Sequence, residues 1–177
     1  DFSGCRTEGC TFCVSGAGDG SNDANGLRAP DVEDAGRQLA AFFRTYPLKG
    51  AAGRPRLRMA GQLLLREVEA FAARLPGLGL PPSDFLFDAR MDYLLKLGGR
   101  LEGAAKRLKG TGHKIHICLV GLENFSSSEL QRMNKGITAA QSLAAIRLLR
   151  DLERKHPDEF GFEEHGFLSC WRGLWFL

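Results

Sequence analysis

The sequence predicts an α/β fold: either a partial (βα)6-type parallel barrel or an open parallel sheet of about five strands with helices outside. Three observations predict it. Helix-period and strand-like segments alternate along the chain. The strand candidates are short, apolar and bounded by turn residues. The residues best able to do chemistry fall just after those strands, where parallel α/β folds bind their ligands.

Taken in order, a stub of a first strand at Asp1 to Gly4 leads into a cysteine-rich stretch, and Ser15 to Pro30 is a Gly/Asn/Asp/Ser loop. Asp31 reads as an N-cap, and Val32, Ala35, Leu39, Phe42 and Phe43 form one apolar stripe of a helix ending near Tyr46. After a turn region from Leu48 to Pro55, Arg56 to Ala60 is a short strand that Gly61 breaks. Leu64, Val68, Phe71 and Leu75 recur at helical spacing before Pro76. Pro81-Pro82 marks a loop and Phe85 to Phe87 the next strand. A helix follows from about Asp92 to Leu108, weakened in its middle by Gly98-Gly99. Lys114 to Gly121 is the clearest strand, β-branched and nearly continuous in apolar residues. Ser126 with Glu129 and Thr138 with Gln141 are capping-box pairs, the first opening a short helix and the second one that reaches about Lys155. Phe160 to Leu168 and Trp171 to Leu177 are aromatic and strand-like.

Composition bounds the class. The chain has 177 residues, 44% hydrophobic and 25% charged, ordinary values for one globular domain and unlike a disordered, collagenous or coiled-coil chain. No apolar run approaches the ~18–20 residues of a membrane span, so no membrane role is expected. The 24 basic and 21 acidic residues leave a net charge of +3, spread rather than clustered, which gives no nucleic-acid signal. No charged segment followed by an apolar one marks a signal peptide. Three of the 5 cysteines crowd together, which fits a metal or redox site in a reducing compartment, and the expected location is cytoplasmic.

Order along the chain brings the unusual residues to one rim. Cys5, Cys10 and Cys13 follow the first strand and Ala60-Gly61-Gln62 the second. Asp88 and Arg90 follow the third, Glu123 and Asn124 the fourth, and His165 lies near the last. The cysteines are spaced C-x4-C-x2-C, so a short loop carries three soft ligands for an iron–sulfur cluster or a divalent metal. A structural zinc site is one alternative, although no second close ligand pair is present to close it. A plant-ferredoxin-like 2Fe–2S loop is another, with its fourth cysteine no nearer than Cys118. Cys118 and Cys170 read as strand-buried thiols. Several residues also have plain structural readings. Glu123 can be a helix-cap carboxylate, Met133 and Phe125 packing residues, His113 and His116 structural or exposed groups flanking a strand, and Asp88 with Arg90 a salt bridge.

The whole chain resembles a radical S-adenosylmethionine (SAM) enzyme core. That superfamily usually carries C-x3-C-x2-C after its first barrel strand, with an aromatic residue before the third cysteine. Here Cys5, Cys10 and Cys13 take the ligand places and Phe12 the aromatic one, with the first gap one residue longer. Where the family often has Gly-Gly-Glu-Pro after strand two, this chain has Ala60-Gly61-Gln62-Leu63, so Gln62 offers a carbonyl oxygen without the charge. Val120-Gly121-Leu122-Glu123-Asn124-Phe125-Ser126, followed by Met133-Asn134-Lys135-Gly136, resembles the strand-four region of the coproporphyrinogen oxidase and methylthiotransferase branches. Glu123 and Lys135 match the acidic and basic positions there.

The resemblance implies a 4Fe–4S cluster held by Cys5, Cys10 and Cys13, with SAM contacted by Phe12, Gly61, Gln62, Glu123, Asn124 and Lys135. It implies an oxidoreductase that cleaves SAM to a 5′-deoxyadenosyl radical, served by a one-electron reductant such as flavodoxin or ferredoxin, on an unidentified substrate. It also implies that residues 1–177 are a single core domain truncated at both ends, because the family core has six βα units.

Overall fold

A computed structural model describes residues 31–46, 53–59, 62–118, 120–121 and 124–162. The predicted first strand, the cysteine loop, and everything beyond Phe162 lie outside the described residues.

Helix α1 (Val32–Thr45) opens as predicted, with the Asp31 carboxylate accepting the Asp34 amide at 2.7 Å. Ala35 and Leu39 are buried, whereas Phe42 and Tyr46 remain exposed, their ring centroids 5.4 Å apart and tilted at 44°. Strand β1 (Arg56–Met59) leads into α2 (Gln62–Arg66). The expected single helix over 64–75 is instead split at Glu67 into α2 and α3 (Val68–Arg74), with a 3-10 turn at Leu75–Leu78 that Gly79 closes at φ 64°. Its apolar spacing still holds, since Leu64, Val68, Phe71 and Leu75 are all buried.

Strand β2 (Asp84–Phe87) precedes α4 (Met91–Leu108), which runs unbroken through Gly98-Gly99. The reason is packing. A Cβ at Gly98 would lie 3.1 Å from a Leu148 methyl, so the glycine lets the helix that carries Leu148 (Ala139–Lys155) approach. Strand β3 (Lys114–Ile117) is shorter than predicted, and α5 (Ser127–Arg132) follows. Ser126 caps α5 through the Glu129 amide, and α6 (Ala139–Lys155) begins with the full Thr138–Gln141 capping box. Strand β4 is Phe160–Phe162.

All neighbouring strands are parallel and pair in chain order, β1-β2-β3-β4. The fold is therefore α/β with an open parallel sheet, and its described part has four strands. Chain order has a consequence for layering. Every right-handed crossover steps the same way, which puts the helices in one layer on one face. Neighbours within that layer touch in turn, α1 on α3, α3 on α4 and α4 on α6.

The core lies between that layer and the sheet. Phe85, Phe87, Ile115, Ile117 and Phe160 are buried, with Phe71 edge-on to Phe85 at 5.4 Å and to Phe87 at 5.9 Å. Each such fully buried phenylalanine contributes on the order of 2–3 kcal/mol of transfer free energy.

The strands are not apolar throughout, as the sequence reading expected. They read R-L-R-M, D-F-L-F and K-I-H-I: the first and third alternate polar with apolar residues, and the second opens on Asp84. One face is core; the other carries charge.

Candidate functional site

The carboxyl edge of the sheet is built by the residues that follow each strand. Gln62 is the first residue of α2, three positions beyond the end of β1. Beyond β2, Asp88 continues the strand direction, and Arg90 is the residue before α4. Beyond β3, the Cys118 amide still donates to the Phe87 carbonyl at 3.0 Å, extending the pairing with β2 by one residue.

That extension joins three side chains. Arg58 donates to Asp88 Oδ2 through Nε at 3.0 Å and Nη2 at 2.5 Å, and the Cys118 thiol donates to Asp88 Oδ1 at 3.2 Å. The Asp88 carboxylate thus bridges a guanidinium on β1 and a thiol beyond β3. The hydrogen bond to Asp88, and then the carboxylate's charge, raise the Arg58 guanidinium above its ordinary value. Cys118 is buried, as expected of a strand thiol.

Asp88 and Arg90 do not pair with each other. Arg90 Nε instead donates to Asp92 at 3.0 Å, and its Nη2 donates to the Lys135 carbonyl at 2.8 Å, tying the α5–α6 connection to the start of α4.

That connection has a clear local origin. Asn134 adopts φ 50°, a left-handed conformation asparagine tolerates, and Gly136 follows at φ 69°. The Lys135 amide then reaches back to the Leu130 carbonyl at 2.9 Å and the Asn134 amide to that of Gln131 at 2.9 Å, the Schellman arrangement that ends α5. Lys135 is left only 5% exposed at the rim. Asn124 lies in the loop before α5, and its carbonyl oxygen accepts the Ser126 amide at 2.7 Å, so that oxygen serves the turn.

Of the residues singled out from sequence, Gln62, Asp88, Arg90, Asn124 and Lys135 all follow strands or the short helix after β3. Cys5, Cys10, Phe12, Cys13, Gly61, Glu123, His165 and Cys170 lie outside the described residues. Met133 is buried as expected, and Phe125 is 41% exposed. His113 is buried, and its Nδ1 accepts the Ser83 amide at 3.2 Å. Burial, followed by the nearby charge of Arg54, lowers its pKa below the ordinary 6.5, with the Ser83 contact opposing.

Sequence reasoning missed the second sheet face. His116 does not flank β3; it sits within it, with Nε2 3.4 Å from Asp84 on β2. Arg54 Nη2 stands 2.9 Å from the other Asp84 oxygen. The signal was available, since Arg56 and Arg58 alternate through β1, Lys114 and His116 through β3, and β2 opens on Asp84.

Among the described residues, no group of three or more His, Cys, Asp or Glu is arranged to hold a metal ion, and no helix is long and apolar enough to cross a membrane. No protein-family model, no curated protein and no solved structure matches the chain.

Proposed function

We propose that this chain is the core of a radical SAM enzyme. The observation that carries the reading is the C-x4-C-x2-C loop with its aromatic Phe12, in a chain whose later strands run parallel in chain order. The donor set fits the cofactor. Three thiols within nine residues suit one face of a 4Fe–4S cluster, and the carboxyl edge of the sheet supplies polar groups for a zwitterionic ligand.

Cys5, Cys10 and Cys13 would hold the cluster, with Phe12 beside them. Gly61, Gln62, Glu123, Asn124 and Lys135 would contribute to holding SAM. Loaded in this way, the site supplies one-electron reductive cleavage of SAM and hydrogen abstraction, with flavodoxin or ferredoxin as electron donor.

The protein's own part is positional. Asp88 fixes Arg58 and Cys118 at the rim, and Arg90 locks the Lys135 backbone against the start of α4. These contacts keep the carboxyl edge in one arrangement, which is what orienting a reactive ligand requires.

Anaerobic reconstitution with iron and sulfide tests the reading. The expected product holds about four irons per chain. It survives Cys118→Ser and Cys170→Ser but is lost on replacing Cys5, Cys10 or Cys13. A cluster of about two irons that needs Cys118 or Cys170 would instead establish a ferredoxin-like electron carrier. Tight stoichiometric zinc without visible absorption would establish a non-catalytic zinc module.

A further inference from the structure

In parallel barrels, the sheet face turned away from the helices is ordinarily filled by layers of Val, Ile and Leu. Strand register places a different set here. One level holds Arg56, Asp84 and Lys114, the next Arg58, Leu86, His116 and Gly161, and beyond them stand Asp88 and Cys118. Charge in place of a packed apolar layer costs stability, and such local departures from packing rules concentrate at functional sites.

The groups on this face have a definite arrangement. His116 and Asp84 form its floor, with side chains 12% and 16% exposed. Gly161 makes room for the ring, because a Cβ there would lie 2.6 Å from His116 Nδ1. Above the floor, the Arg58 side chain is 61% exposed while joined to Asp88, and Arg56 is also exposed. Arg54, Arg56, Arg58 and Lys114 stand against the carboxylates Asp84, Asp88 and Glu159, the last beside Lys114, so the face keeps a small positive excess concentrated at Arg56 and Arg58. Arginine's planar fork matches oxyanions in particular.

We propose that this face binds a small molecule bearing an anionic oxygen group, a carboxylate or a phosphate, gripped by Arg56 and Arg58 over the His116–Asp84 floor. It rests on the radical SAM reading only in naming that molecule the substrate.

The test titrates the full chain with inorganic phosphate and, separately, with succinate at constant ionic strength. NMR follows the His116 imidazole and the arginine Nε–H signals. Saturable shifts at His116, Arg56 and Arg58 are expected with at least one anion, and the tighter one identifies the head group. Arg56→Gln and Arg58→Gln should each weaken binding about tenfold, the usual cost of one charge-assisted hydrogen bond. Arg107→Gln, on the outer surface of α4, should leave it unchanged. Non-saturating drift with both anions, or equal weakening by Arg107→Gln, would overturn the proposal. The titration uses neither iron nor SAM, so its outcome is separate from that of cluster reconstitution.

Discussion

The two faces of the sheet obey different rules although the same strands make both. Toward the helices, Phe85, Phe87, Ile115 and Ile117 are buried in one continuous core with Phe71, Leu94, Leu101 and Leu149. Toward the other side stand Arg56, Arg58, Asp84, Lys114 and His116, of which Arg58, Asp84 and His116 take part in ion pairs. The first arrangement is what hydrophobic burial alone selects. Of the second, the exposed Arg58–Asp88 pair is worth about 0–1 kcal/mol, so stability is a poor account of that pair. The difference separates residues that make the fold from residues whose charge hydrophobic burial does not explain.

Core and charge substitutions sharpen that contrast most. Phe85→Ala should cost about 3–5 kcal/mol in urea unfolding, through lost burial and a cavity against Phe71. Arg56→Ala should stay within about 0.5 kcal/mol. Comparable losses from the two would break the distinction.

Gly161 tests whether the polar face is built or incidental. Gly161→Ala drives a methyl into the His116 ring and should cost about 1–3 kcal/mol. In a His116→Gly background most of that penalty should vanish, and a double-mutant cycle reads the coupling. Additive effects would show that the ring does not rely on the glycine.

His113 is the titratable exception on the core side, 5.8 Å from the Phe85 ring. Its folded pKa lies below the ordinary 6.5, so the unfolded chain takes up the proton first as pH falls. Its contribution to stability is complete above pH 6.5 and is lost as the pH drops from there through the lower folded value. Unfolding free energies across that range should decline, and His113→Asn should flatten the decline. A rise in stability on acidification would reverse the sign and contradict the assignment.

The smallest effect is at Gly98. Gly98→Ala gains up to about 1 kcal/mol of helix propensity and loses a similar amount against Leu148, for a net change near zero. A strong stabilisation would mean that α6 yields easily.

How much of this was legible in the sequence follows from which signals are local. Asp31, Ser126 and Thr138 predicted helix starts correctly because a cap acts within three residues. The parallel sheet followed from alternation of elements, and Asp88 and Arg90 from their places after a strand, whereas Lys135 came from the family resemblance alone. Pairings were not legible. Asp88 meets Arg58 and Cys118, each thirty residues away, because neighbouring strands share a register. The continuity of α4 through Gly98-Gly99 likewise depends on Leu148, which no local rule could supply. The charged face was visible as period-two alternation in β1 and β3, but reading Lys114 to Gly121 as nearly continuous in apolar residues hid it.

The central claim, that the three-thiol loop and the carboxyl edge together form a radical SAM site, is tested most directly by electron paramagnetic resonance of the reconstituted, reduced chain with and without SAM. A 4Fe–4S signal that changes on adding SAM is the predicted result, because three thiolates leave one iron open to the ligand. A 2Fe–2S signal indifferent to SAM, or no iron alongside bound zinc, would contradict it.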